Sequence, residues 1–183
     1  MFEKKTRNGV PFFTSTILPI PHAFSTRLGG VSSLPHLQSM NLGENRGDEP
    51  QNVQKNFDLL CQASGLPRKV VSGLQIHSEK LLYAEDSFEE KPSCDGFYTD
   101  RQGLSLCVKV ADCLPVLLYE PEANCIAALH AGWRGSARNI VLYGMSMGAA
   151  TVLMAAGLDL PRNVVGIVAV SALSVRNSSR SGN

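Results

Sequence analysis

No two cysteines stand as a CxxC pair, and the five present (Cys61, Cys94, Cys107, Cys113 and Cys125) are an odd number. That excludes a four-cysteine zinc knuckle and argues against a disulfide framework, so most of these thiols are expected to be small buried apolar residues. Charge of either sign is not in excess. Seventeen Lys and Arg against sixteen Asp and Glu give a net charge of +1, which leaves no electrostatic basis for a nucleic-acid or membrane partner. Long apolar runs are missing as well. The longest, VVGIVAVSALSV from Val164 to Val175, is too short to span a bilayer and holds two serines. The first twenty residues contain no unbroken apolar core and no small-residue cleavage site, so no secretory leader is expected. No internal repeat occurs. Together these absences predict a soluble, cytoplasmic protein.

What remains is enough chain for one ordinary domain: 183 residues, 44% apolar and 18% charged, a globular composition with material for a core. DEPQNVQKNFDLLCQASG, residues 48–65, predicts a helix. Asp48 is placed as its cap, Pro50 suits the first turn, Val53, Phe57 and Leu60 share a face, and Gly65 with Pro67 stops it. Strand-like runs follow at 69–78, 104–113, 115–120 and 125–131, separated by turn signals around Pro92, Asp100–Gly103 and Glu120–Asn124. One good helix among several strands predicts an α/β or α+β fold. After Ile140 the sequence reads as a short strand, a glycine turn and an Ala-rich helix stopping near Gly157; another strand, NVVGIVAV, follows Pro161, and the tail is polar.

Three residues with metal-ligating side chains fall at the ends of apolar runs: His77 after LQI, Cys113 after VKVAD and His130 after IAAL. Polar residues that finish neighbouring strands gather at one edge of a sheet, where loops leave room for a ligand. Two imidazoles and a thiolate, with a fourth position open, form the donor set of a catalytic zinc site. Asp112, beside the cysteine, is suited to orient a histidine or to act in acid–base chemistry. The same residues also read as ordinary polar strand ends, or as a Cys113–His130 thiolate–imidazole pair attacking an acyl carbon without a metal. Spacing alone leaves these open.

The blocks HAFSTRLGGVSS (22–33), MNLGENRGD (40–48), GLQIHS (73–78), CDGFYTD (94–100), VADCLPVLLYE (110–120) and ALHAGWRG (128–135) occur in this order. In that order they resemble the laccase-domain family, also called polyphenol oxidase or peptidoglycan editing factor proteins, over about residues 20–140. The resemblance implies the mixed-sheet α+β sandwich of that family. It also implies a zinc-dependent purine nucleoside phosphorylase with adenosine deaminase and methylthioadenosine phosphorylase side activities, its metal held by His77, Cys113 and His130. Purine nucleoside and phosphate are then the partners. Arg27 is suited to phosphate, because a guanidinium forks onto its oxygens and Gly29-Gly30 lets backbone N–H groups approach. Asn41, Asp95 and Arg134 are candidate substrate contacts, each with an alternative reading as a turn or capping residue, and Trp133 reads as packing. Catalysis is assigned to Asp112, Cys113 and Arg27. Copper, which the older laccase label implies, fits less well, since a multicopper oxidase needs more than the four histidines present.

GMSMG, residues 144–148, has the G-x-S-x-G form of a nucleophile elbow, and the flanking runs resemble an α/β-hydrolase. A hydrolase of that fold needs an acid and then a histidine downstream. After Ser146 only Asp159 follows and no histidine, so Ser146 is read as catalytically dead. The expected organisation is an incomplete laccase-domain unit at 1–141, a hydrolase-like strand–helix–strand fragment at 142–170 and a disordered tail at 171–183. Such a chain is expected to bind metal with impaired turnover, or to be a non-catalytic metal-binding remnant, and to self-associate through uncovered apolar surface.

Overall fold

The computed structural model describes residues 2–132 and the backbone of 153–154 and 166–171. The chain opens with an antiparallel hairpin, β1 (Phe2–Arg7) and β2 (Val10–Ser15). Its turn is Asn8-Gly9, with φ of 51° and 76°, the doubly left-handed geometry that matches the twist of the flanking strands. β3 (His22–Ser25) pairs next to β2.

Helix α1 runs Pro50–Ser64, close to expectation, and ends on Gly65 at φ 77°. Its cap differs from the prediction: Glu49 occupies the N-cap position without a side-chain cap bond. Asp48 is drawn instead to the loops before it, accepting from Ser32 and Asn41, and also from the Asn52 amide and the Glu49 N–H. The apolar face of the helix includes Val53 and Leu60, but also a fully buried asparagine, Asn56.

The remaining elements are β4 (Lys69–Val71), β5 (Leu81–Tyr83), β6 (Gly96–Thr99), β7 (Leu104–Val110), β8 (Leu114–Glu120), β9 (Cys125–Ala131), β10 (Leu153–Met154) and β11 (Gly166–Ser171). They form two sheets, ordered β1-β2-β3-β11-β7-β4 and β10-β8-β9-β6-β5. The β4–β7 and β5–β6 pairs are parallel, the rest antiparallel. Leu104, Leu106 and Val108 of β7 pack against Phe97, Leu117, Ile126 and Ala128 of the other sheet, making the inter-sheet core. Cys107, on the opposite face of β7, joins Phe12, Leu60, Cys61 and Ala63 in a second core under α1. The result is a helix, a sheet and a sheet in layers, the α/β architecture expected.

Two strand predictions are corrected. The run 69–78 is a strand only to Val71. Beyond it the Gln75 side-chain amide takes the place of a backbone partner, donating to Lys109 O and accepting from Lys109 N, both at 2.7 Å. This loop then crosses to the second sheet, where Leu74 exchanges bonds with Pro92 and Cys94. The run 104–113 likewise ends at Val110, because residues 111–113 turn the chain from the first sheet into the second. Leu153 and Met154, which fall within the expected Ala-rich helix, are extended and pair with Leu117 and Val116 of β8; the rest of that expected helix lies outside the described residues. Ser146, its elbow and the 142 boundary lie outside the described residues. Gly166–Ser171, read in sequence as a strand, pairs on both sides, with β3 and with β7.

Candidate metal centre

The two crossings between sheets meet at one place. The first carries His77, the second carries Cys113, and β9 beside them carries His130. Register explains the meeting. Leu114 pairs with Ala131 and Pro115 with His130, so Cys113, one step before β8, comes level with the end of β9. The ligand atoms of His77, Cys113 and His130 all lie within 4.8 Å of one another. Donors around a tetrahedral zinc stand roughly 3.4–3.6 Å apart at ordinary bond lengths, so small side-chain adjustments close this triangle on an ion. His130 is buried; His77 and Cys113 are partly exposed, an arrangement that leaves the site open on one side. The two imidazoles meet edge to face, 4.9 Å between centroids.

The residues fit a metal on two observations of this chain. His77 Nδ1 is buried with no hydrogen-bond partner among the described residues, a costly state for an imidazole nitrogen unless something else occupies it. Gly132 is also required to be glycine. A Cβ there would stand 2.3 Å from His77 Nδ1 and 3.2 Å from His130 Cε1.

His77 does not end a strand as expected. It sits at φ 58°, in the left-handed region unusual for a side chain of its size. The cause is Asp95, 1% exposed. Its Oδ1 accepts from His77 N (2.9 Å) and from His130 Nδ1 (2.8 Å). Its Oδ2 accepts from Ile76 N (3.2 Å), Ser78 N (2.7 Å) and Ser78 Oγ (2.8 Å). Burial opposes ionisation of Asp95, but the bonds from His130, Ser78 and Ile76 outweigh it and hold its carboxyl below the ordinary range. Asp112 is exposed and accepts a long bond, 3.7 Å, from the Cys113 thiol. The carboxylate placed against a histidine of the cluster is thus Asp95.

Arg27 and Asn41 are tied into another network. Arg27 is exposed, and its Nε and Nη2 both donate to Gln38 O, at 3.1 and 3.0 Å. Asn41 closes a turn on Gly43 and donates to Asp48. At the centre is Asn56, whose amide donates to Ser32 Oγ and to the carbonyls of Ser39 and Asn41, and whose oxygen accepts from Val31 N. The glycines of STRLGG answer to this packing. A Cβ on Gly30 would stand 2.3 Å from Ser39 O and 2.5 Å from the Asn56 oxygen, and one on Gly29 2.7 Å from Gly9 O. Arg134 and Trp133 lie outside the described residues. Asn56 and Gly132 went unflagged by sequence. The signal for Asn56 is a polar residue inside the Val53–Phe57–Leu60 stripe, and for Gly132 a glycine two positions after a candidate ligand.

The chain is similar to known proteins. Residues 21–155 match the family model described as "Multi-copper polyphenol oxidoreductase laccase". A purine nucleoside phosphorylase of Corynebacterium glutamicum is 42% identical over 127 residues, covering 67% of this chain and 51% of that protein. The Escherichia coli protein named purine nucleoside phosphorylase YfiH is 41% identical over 111 residues, 61% of this chain and 45% of its own length. A crystal structure of a Neisseria meningitidis protein of the family model DUF152 superposes with a TM-score of 0.58 at 37% identity, covering 67% of this chain and 51% of that one. The chain spans about half the length of these relatives.

Proposed function

The chain belongs to the multi-copper polyphenol oxidoreductase laccase family, and from that premise we propose that it is built for zinc-dependent phosphorolysis of purine nucleosides, with adenosine deamination as a side activity. The reaction type rests on relatives named purine nucleoside phosphorylase. The observation that carries the reading is the approach of His77, Cys113 and His130 to within 4.8 Å.

Zinc suits a set of two imidazoles and one thiolate with a position left open, and when bound it supplies a Lewis-acid centre. Multicopper chemistry lacks donors: of the other histidines, His22 is buried with its ring nitrogens against Ser15 N and Ile20 O, and His36 is exposed on a turn. His77, Cys113 and His130 hold the ion. Asp112, exposed beside Cys113, handles protons at the mouth of the site. Phosphorolysis must hold an anion against a sugar that becomes cationic as its bond to the base breaks. Arg27 spends only two hydrogen bonds on Gln38 and keeps other guanidinium donors for phosphate; Arg134 is assigned the same work. Asn41, engaged through both ends of its amide, is assigned to building the loop. Five cysteines with no disulfide among them suit a reducing, cytoplasmic setting.

The test is metal stoichiometry on the monodisperse chain, then phosphate-dependent release of adenine from adenosine. One zinc per chain, lost in His77→Ala, Cys113→Ala and His130→Ala but kept in Ser146→Ala, is the expected result. Zinc content unchanged in all four overturns the ligand assignment. Adenine release unaffected by chelator overturns the metal dependence.

A second reading has one observation of its own. Asp95 bonded to His130 Nδ1 at 2.8 Å, with the Cys113 sulfur within 4.8 Å of a His130 ring nitrogen, is also the residue set of a Cys–His–Asp nucleophile triad. It leaves His77 without a role. Thiol-ester hydrolysis that survives chelator and is abolished by alkylation of Cys113 would favour it.

A further inference from the structure

We infer that Asp95 is the positioning residue of the metal centre: one buried carboxylate that sets the orientation of both histidine ligands and the tautomer of His130. Sequence reading left it as a substrate contact or a turn residue. Both of its oxygens are instead taken by protein donors, five in all, drawn from the two segments that carry His77 and His130.

Toward His77 the device is a backbone nest. The N–H groups of Ile76, His77 and Ser78 converge on the carboxylate. Successive N–H groups curl in this way when one residue adopts the left-handed conformation, and the concavity so made binds an anion. His77 is that residue, at φ 58°. Here the anion belongs to the chain itself, so the fold of the loop, and with it the direction of the His77 side chain, is tied to a neighbouring strand. Without the carboxylate, the three N–H groups of this left-handed turn lose their common acceptor.

Toward the His130 ring the device is a bond of 2.8 Å to Nδ1. An ionised carboxylate only accepts, so in the neutral ring Nδ1 carries the proton and the lone pair sits on Nε2. A histidine presented to a metal in that way has its ring orientation fixed. The oxygen that accepts from His130 Nδ1 is the one that accepts from His77 N, so one atom links the two ligands.

Asp95 is itself held on both sides. Its N–H donates to Lys80 O, and its carbonyl accepts from His130 N at 2.7 Å. Gly96 follows at a point where a Cβ would stand 2.6 Å from Leu81 Cδ2 and 2.8 Å from Ala128 O. The aspartate–glycine pair therefore lets β6 sit close enough to β5 and β9 for the carboxylate to reach both histidines.

The inference rests on the metal reading above in only one of its two measurements. The first is the tautomer of His130 in the metal-free chain, read from long-range proton–nitrogen correlations of 15N-histidine-labelled protein. The proton is expected on Nδ1 in the wild type. In Asp95→Asn that preference is expected to be lost, because one end of the amide now presents donors to donors. The second is zinc affinity by competition with a chromophoric chelator. Asp95→Asn is expected to lose about 10–100-fold while its far-ultraviolet circular dichroism stays that of the wild type. A wild-type His130 carrying its proton on Nε2 overturns the inference, and that measurement needs no variant to fold. An Asp95→Asn chain with unchanged tautomer and zinc affinity within about twofold of wild type overturns it as well. Failure of the phosphorylase assay touches neither measurement.

Discussion

Gly132 carries the sharpest residue-scale consequence. The space where its side chain would be is filled by the His77 ring, with 2.3 Å from an ideal Cβ to Nδ1. Gly132→Ala is expected to push the His77 imidazole away or distort the chain just after β9, at a cost of about 1–3 kcal/mol. Zinc affinity is expected to fall at least about tenfold, measured by chelator competition, with the secondary structure intact. Thiol chemistry divides along the same line of burial. Burial pushes the Cys61 thiol up to about 11 and the Cys107 thiol up to about 12, so neither is a nucleophile near neutrality. Cys113 and Cys125, both partly exposed, are expected to react with iodoacetamide ahead of them, and zinc is expected to protect Cys113 alone. Peptide mass mapping after brief alkylation, with and without the metal, reads both effects.

Among the elements, the joint between α1 and the loops before it is polar where sequence patterning suggests grease. Asn56 is completely buried, and its four bonds tie the 30–41 loop to the helix. Asp48 completes the joint. Bonds from Ser32 first, then Asn41 and Asn52, bring its carboxyl down from 3.8 to about 2. A carboxyl depressed in the folded state stabilises the fold fully above its unfolded value, and that contribution disappears as pH falls through the folded one. The joint is therefore expected to weaken between about pH 4 and pH 2. Asp48→Asn should be less stable than wild type at pH 7, and the difference between the two should shrink across that interval, as followed by urea unfolding at stepped pH. This joint was hard to read in the sequence because an asparagine in a helix scores only as a weak helix former. Its value comes from partners reached through tertiary contact. The β1–β2 hairpin is the opposite case. Asn8-Gly9 between two strand-like runs is a local signal, and local chemistry suffices for it.

On the scale of the whole molecule, a metal held by His77, Cys113 and His130 would be coupled to the fold, because these residues come from both crossings between the sheets and from β9. An ion that binds only the folded chain stabilises it by about 2.7 kcal/mol at a hundred times its dissociation constant. For a chain of this size that is a rise in Tm of about 5–11 °C. Calorimetry with zinc against calorimetry with chelator checks the figure, and Cys113→Ala is expected to abolish the difference. The first sheet depends equally on remote chain: the backbone of Gly166–Ser171 lies between β3 and β7 and pairs with both. Leu28, Val31, Leu74 and Ile76 are exposed apolar side chains, and sedimentation over a range of concentrations tests the self-association expected from the sequence.

The sequence by itself determined the elements whose causes are local. The helix with its glycine stop, and β8 and β9 nearly to the residue, follow from period and turn chemistry. The tertiary structure alone decided that the 69–78 and 104–113 runs break off to cross between sheets. It also decided that His77 is left-handed, and that Asp95 joins two ligands lying far apart in the chain. Those outcomes depend on buried donors finding acceptors across the fold, and no local pattern records which distant group will satisfy them.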